Sequence, residues 1–274
     1  MAEVKNTAKT ATPAAPKKSS NLFAALVVPI CIVVGVLIYK FILGNPANFM
    51  DAEMHTPKNA FGQMYLGGFI VPVLMATFLT LLSMVIERFL SISKAKGKVN
   101  GTELVRKVQY HLANKNIEAA IAECDKQRGS VGNVLKSGLH KYKEMISNTD
   151  MDHEQKILAI KAEVEEATAL ELPMLEKNLV FLSTIASVAT LLGLFGTVLG
   201  MIRAFGAMAQ AGAPDATALA AGISEALINT ALGIGTSAVA IITYNFFTTN
   251  IDGITYAIDE SGFTLTQSFA ANYK

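Results

Sequence analysis

Charge is scarce in this sequence, and so are the residue groupings that a reaction centre needs. Of 274 residues, 16% are charged and the net charge is +1, which removes the case for nucleic acid as a partner. There are two cysteines, Cys31 in an apolar run and Cys124 in a charged region. They are expected not to pair and to behave as small buried hydrophobes. The four histidines, His55, His111, His140 and His153, are scattered without metal-ligand spacing, so neither a metal nor a cofactor is expected. No phosphate-cradling glycine loop and no nucleophile elbow occurs, and an enzyme is not expected.

What the chain has instead is apolar length. Hydrophobic residues make up 51% of it, more than an ordinary soluble domain carries. Roughly 20 apolar residues at 1.5 Å each cross a bilayer, and four segments are long enough: 21–43, 64–90, 178–203 and 218–249. The expected fold class is all-α, a polytopic membrane protein with four transmembrane helices and a helical cytoplasmic domain, 91–177, between the second and third.

The basic residues orient this arrangement. Residues 1–20, rich in Ala, Thr, Pro and Lys, read as a disordered tail. Lys5, Lys9, Lys17 and Lys18 hold it in the cytoplasm by the positive-inside rule. The first apolar run is broken only by Lys40, which can snorkel, and 44–63 reads as a polar external connector. The second span enters near Gly67-Gly68 and leaves at Glu87-Arg88, a pair expected to anchor it at the inner interface. Segment 91–177 holds over half of the Lys and Arg and belongs inside. It has apolar residues at helical intervals, a break at Gly129, and a kink at Pro173 where its last helix runs into the third span. Residues 204–217 read as an external turn and 250–274 as a cytoplasmic tail, so both termini lie inside.

One carboxylate breaks the apolar pattern. Glu225 sits inside the fourth span, with Asn229 one turn on and Thr230 beside it; Thr236, Ser237 and Thr243 follow. A bare carboxylate in hydrocarbon costs at least a few kcal/mol and by default marks an ion or proton path. The bland alternative is that Glu225 lies near the interface and reaches the headgroups. In the third span Ser183, Ser187, Thr190 and Thr197 fall on one helical face. Local bonding to the helix's own carbonyls accounts for Ser183 and Ser187. Thr197, between Gly196 and Gly200, is expected to line a polar path. Gly193, Gly196 and Gly200, with Gly233 on the fourth span, form the small-residue face that lets membrane helices pack closely.

Two motifs then carry a resemblance: GLFGTVLGMIRAF at 193–205 and GISEALINTALG at 222–233, followed by Tyr244-Asn245. With them go ELPMLEKNLVFLSTIA at 171–186, the pattern NIEAAIAECDK…SVGNVLKSGL within 116–139, and IERFL at the end of the second span. Together they resemble the MotA/TolQ/ExbB proton channel family, with ExbB and TolQ the nearer match, over roughly residues 62–247. The resemblance implies a homo-oligomeric ring, a pentamer in the family, in the bacterial inner membrane. It implies an ExbD-like partner with an essential intramembrane Asp, and proton flow doing work on a TonB-like protein for outer-membrane transport. It places Thr197, Glu225 and Thr230 on the family's pore positions. The alternatives are a flagellar or gliding stator subunit, which four spans would suit, and a TolQ-like envelope-maintenance motor; sodium coupling is a variant of either, and a scaffold without ion passage is a further class. Three features depart from the family pattern. Thr190 and Val239 stand where Pro is usual, Asn229 adds a polar group near Glu225, and the first span has no counterpart in the three-span ExbB and TolQ.

Overall fold

The computed structural model describes residues 22–51, 54, 56–210 and 216–273. The expected N-terminal tail, 1–20, lies outside them. Among the described residues the chain is helical apart from turns and one isolated bridge between Phe49 and Pro57. The described residues form nine α-helices: α1 (Leu22–Leu37), α2 (Ala60–Tyr65), α3 (Ile70–Lys96), α4 (Gly101–Ala113), α5 (Ile117–Gln127), α6 (Ser130–Ser147), α7 (His153–Glu176), α8 (Leu179–Gln210) and α9 (Ala216–Asn272). Among the described residues, four helical stretches are long and apolar enough to cross a membrane: Ala25–Leu43, Ile70–Ala113, His153–Gly206 and Leu219–Asn272.

The helix ends follow local chemistry. Asn100 and Asn116 cap α4 and α5 by accepting from the backbone N–H of Thr102 and Ala119. Asp152 and Gln155 form a reciprocal capping box on α7, which satisfies two N–H groups that the helix leaves free. The break between α5 and α6 falls at Arg128-Gly129, with Arg128 left-handed at φ 56°. Gln127, fully buried, ties this corner together. Its amide donates to the carbonyls of Lys96 and Val99, and its oxygen accepts from Gly129 and Gly132 N–H.

Several expected boundaries move. Pro173 lies inside α7, and the chain bends instead at Lys177-Asn178, where Asn178 takes a left-handed φ of 65°. Asn tolerates that conformation better than most side chains, and the Lys177 N–H closes the last turn on the Pro173 carbonyl. The turn expected at 204–217 is shorter, because α8 continues to Gln210 and α9 starts at Ala216. Residues 251–272 are no separate tail. They prolong α9, because Ile251, Ile254, Ile258, Leu265 and Phe269 recur at three- and four-residue steps or multiples of a turn and are all buried.

That C-terminal half of α9 is the centre of a helical bundle with α4, α6 and α7. Leu104, Val108, Leu112, Val134, Leu135, Leu139, Tyr142 and Ile160 pack around it in one core, with the Tyr142 and Phe269 rings edge to face at 5.0 Å. Both cysteines are free and buried, Cys124 in this core. Burial in apolar surroundings pushes the Cys124 thiol up to about 12.

The other half of the molecule is the hairpin of α8 and α9, flanked by α3 and α1. The pairings Ala186 with Ser237, Gly193 with Gly233, Thr197 with Thr230, Gly200 with Ala226 and Ala204 with Gly222 show two antiparallel helices in close contact. A methyl group on Gly193, Gly200 or Gly233 would come within 3.1 Å of the facing backbone. Helix α1 seats Gly35 against Pro72 and Ala76 of α3, and Cys31 against Ser83.

Segment 38–66, expected as the end of a span and a plain connector, folds into a cap. A π-helical turn (Ile38–Leu43) and a 3-10 turn (Pro46–Asn48) lead into α2. Asn48 donates to the carbonyls of Ile42 and Leu43 and accepts from Asn59. Tyr39 stacks on Tyr65 at 4.7 Å and donates to the Tyr65 carbonyl, and Phe49 meets the same ring edge-on. The cap ends at Gly67-Gly68, and α3 begins at Ile70 rather than Met64.

Candidate ion pathway between the two long helices

The sequence puts hydroxyls at Thr197 and Thr230, and helix pairing brings them together. Their Oγ1 atoms are in direct hydrogen-bond contact. Thr197 Oγ1 also donates toward its own helix, at the Gly193 carbonyl (3.2 Å), and across to the Ala226 carbonyl (3.4 Å). Thr230 Oγ1 is 3.2 Å from that same Ala226 carbonyl. A hydroxyl carries one proton and two lone pairs, so two of them sharing one carbonyl can exchange which one donates. The glycines around them are what let the backbones approach so closely.

Asn229 occupies the adjacent position on α9 and is wholly buried. It lies against Gly196, where even a methyl would collide with its side chain. Its Nδ2 donates to the Gly67 carbonyl at 2.9 Å. Its Oδ1 is buried and has no hydrogen-bond partner among the described residues. An unpaired buried amide oxygen costs roughly 1–3 kcal/mol unless water or an ion supplies a donor or charge.

Glu225 lies one turn from Asn229, and it is not a bare carboxylate. Arg203 of α8 donates from Nη1 to Glu225 Oε1 at 2.5 Å. The glutamate side chain is 14% exposed and the arginine 50%. The Arg203 guanidinium also lies 5.7 Å from the centre of the Phe69 ring. Gly68 closes over the pair. Its φ of 74° is a glycine conformation, and a side chain there would strike the Glu225 carboxylate and crowd Arg203. Tyr39 of the cap lies within electrostatic range of both charges.

The residues singled out in the sequence thus divide. Thr197, Thr230, Asn229 and Glu225 fall in neighbouring turns of one hairpin, with Gly193, Gly196, Gly200 and Gly233 at its contact face. Thr190 does not join them. It is exposed, and its hydroxyl bonds locally toward the Ala186 carbonyl at 3.5 Å. Missing from the sequence reading were Arg203 as the partner of Glu225 and the Gly67 carbonyl as the partner of Asn229. The first had a signal: Arg203 and Glu225 lie at similar distances on either side of the break between α8 and α9, where an antiparallel hairpin brings such positions together. Ser237, which donates from α9 to the Ala186 carbonyl at 2.5 Å, was noted only as a polar residue.

A second charged cluster sits at the far end of α3. Arg88, expected to lie in the headgroups, is 2% exposed and reaches into the protein. Its Nε and Nη2 grip both oxygens of Glu87 at 2.6 and 2.5 Å, and its Nη1 meets the Leu175 carbonyl at 3.3 Å. Ser91 and Asn178 also donate to Glu87. The pair therefore fastens α3 to the α7–α8 bend instead of facing lipid.

Among the described residues, four helical stretches are long and apolar enough to cross a membrane, and α8 and α9 bring polar side chains together between them. The MotA/TolQ/ExbB proton channel family model matches residues 126–260, a stretch running from the end of α5 into the bundle half of α9. That matched stretch contains Thr197, Arg203, Glu225, Asn229 and Thr230. Among similar curated proteins are the Tol-Pal system protein TolQ of Haemophilus influenzae, 44% identical over 86 residues, and that of Pseudomonas aeruginosa, 31% identical over 117. The biopolymer transport protein ExbB of Pseudomonas putida is 42% identical over 72 residues. These matches cover 31%, 43% and 26% of this chain. They span 37%, 51% and 22% of the relatives, about half their length at most.

Proposed function

We propose that this chain is an ExbB/TolQ-like subunit of a proton-driven motor in the bacterial inner membrane. In this reading it forms a homo-oligomeric ring, of the family's pentameric kind, around an ExbD-like partner with an intramembrane Asp. Proton flow along Thr197, Thr230 and Glu225 then drives work on a TonB-like protein. The observation that carries the reading is the hydroxyl contact between Thr197 and Thr230 across α8 and α9, with Asn229 and Glu225 on neighbouring positions of α9. A chain of groups that both donate and accept can pass a proton without a free ion entering hydrocarbon. The available drive is about 2.3 kcal/mol per charge per 100 mV, so several protons must pass for each mechanical step.

The TolQ relatives favour a second assignment, an envelope-maintenance motor with the same ion chemistry and a different protein to pull. The partner co-purified from native membranes decides between them. The ion path is tested by proton flux into proteoliposomes holding the chain with that partner. Glu225→Gln and Thr230→Val are each expected to cut flux by at least about tenfold, the size of one lost relay contact. Undiminished flux in both removes the path. Flux that follows sodium at fixed pH replaces the proton by sodium.

A further inference from the structure

The ion pair at the end of the polar track has unequal partners. Glu225 is held: its side chain is 14% exposed, Gly68 covers it, and the next polar residue, Asn229, is locked to the Gly67 carbonyl. Arg203 is not held in the same way. It is half exposed and touches one carboxylate oxygen with one nitrogen. Beside it lies the Phe69 ring, itself exposed.

We propose that Arg203 is a tethered cation that occupies Glu225 at rest, and that a proton or ion reaches this carboxylate only after the guanidinium swings away. The proposal rests on the ion-path reading of Glu225 and adds the group that decides when the path is open. The chemistry favours displacement over neutralisation. A guanidinium keeps its charge at every physiological pH, so a passing proton cannot discharge it, and the side chain itself must move. The Phe69 ring already lies 5.7 Å from the guanidinium in the paired state, so it can retain part of the electrostatic stabilisation when the contact to Glu225 opens. Arg203 is therefore a positioning residue: it acts through Glu225 and carries no proton.

The test uses the purified oligomer without partner, with two readouts. One is modification of Glu225 by a hydrophobic carbodiimide, measured by peptide mass spectrometry. The other is proton leak into proteoliposomes after a pH step. Arg203→Gln is expected to raise both by about fivefold, the weight of a partly exposed ion pair. Arg203→Lys should keep both near wild type, and adding Glu225→Gln to Arg203→Gln should abolish the modification and the extra leak. Oligomer size on a sizing column establishes that each variant has assembled. Modification that rises without any leak keeps the tether and assigns ion passage to the assembly with its partner. Modification equal to wild type in Arg203→Gln overturns the tether, even where Glu225→Gln still stops partner-driven flux.

Discussion

Arg88 and Arg203 each meet a glutamate within an apolar helix, and the surroundings give the two pairs opposite characters. At Glu87, four donor atoms from three residues converge on one carboxylate, and the guanidinium spends its remaining reach on a backbone carbonyl. At Glu225, one guanidinium nitrogen makes the contact while half of the arginine lies outside. A pair whose hydrogen-bonding capacity is filled has no better arrangement to move to and acts as a fastener. A pair with one contact and an exposed partner can exchange that contact for another. The same two residue types thus serve rigidity at the α7–α8 bend and exchange at the head of the polar track.

Breaking the fastener should produce the largest effect. Arg88→Met leaves the Glu87 carboxylate with only Ser91 and Asn178, and removing one member of a buried pair costs about 3–5 kcal/mol. Thermal unfolding of the purified protein is expected to fall accordingly. The double variant Glu87→Gln with Arg88→Met should recover much of the loss, since removing both charges is milder than stranding one. If the single and double variants melt together, Arg88 is not neutralising Glu87.

Asn178 gives an intermediate effect and separates two causes. It sits at φ 65° and donates to Glu87 at 3.1 Å. Asn178→Ala loses the hydrogen bond and keeps the unfavourable φ, for about 1–2 kcal/mol in all. Asn178→Gly loses the same bond and relieves the backbone. The glycine variant should melt above the alanine variant; the reverse order would mean that the left-handed bend carries no strain.

Much of this architecture is legible from the residues, and the limits have physical reasons. The spacing of Ser and Thr on two apolar runs is a local property, so the polar faces of α8 and α9 can be read directly. Which polar group meets which depends on how two helices pack. That is why Arg203 passes for a span terminus and Arg88 for a headgroup anchor until both are seen in contact. Residues 251–269 carry a plain apolar stripe, yet they follow the polar run Thr248 to Asn250, which reads as a span leaving the membrane. In the folded chain the helix does not stop there, because the bundle of α4, α6 and α7 needs a central member. The cap from Ile38 to Leu66 is legible only in part, since its order comes from Tyr39, Phe49 and Tyr65 meeting across more than 20 residues of chain.

At Arg203 the stability effect should be small although the effect on ion access is large. Arg203→Gln is expected to cost less than Arg88→Met, because it removes a single contact made by an arginine that is already half exposed and screened. A melting loss as large as that of Arg88→Met would make Arg203 a second fastener and erase the contrast between the two sites.

The weakest link extends the comparison to full exposure. Glu118 of α5 pairs with Lys143 of α6, and both side chains are more than half exposed. Hydrogen bonding and charge from Lys143 hold the Glu118 carboxyl below its usual range. A carboxyl lowered in the folded state adds stability above its unfolded value and loses it as pH falls through the folded one, so any contribution is present at neutral pH and absent in acid. At 0.15 M salt the screening length is about 8 Å, and water solvates both groups as well as they solvate each other. Lys143→Ala is therefore expected to leave the melting temperature unchanged at pH 7 in 0.15 M salt, to lower it slightly at pH 7 only at low ionic strength, and to make no difference in acid, where Glu118 is protonated. A clear loss at neutral pH and physiological salt would mean that exposure does not grade these pairs, and the ordering of Arg88, Arg203 and Lys143 would need another cause.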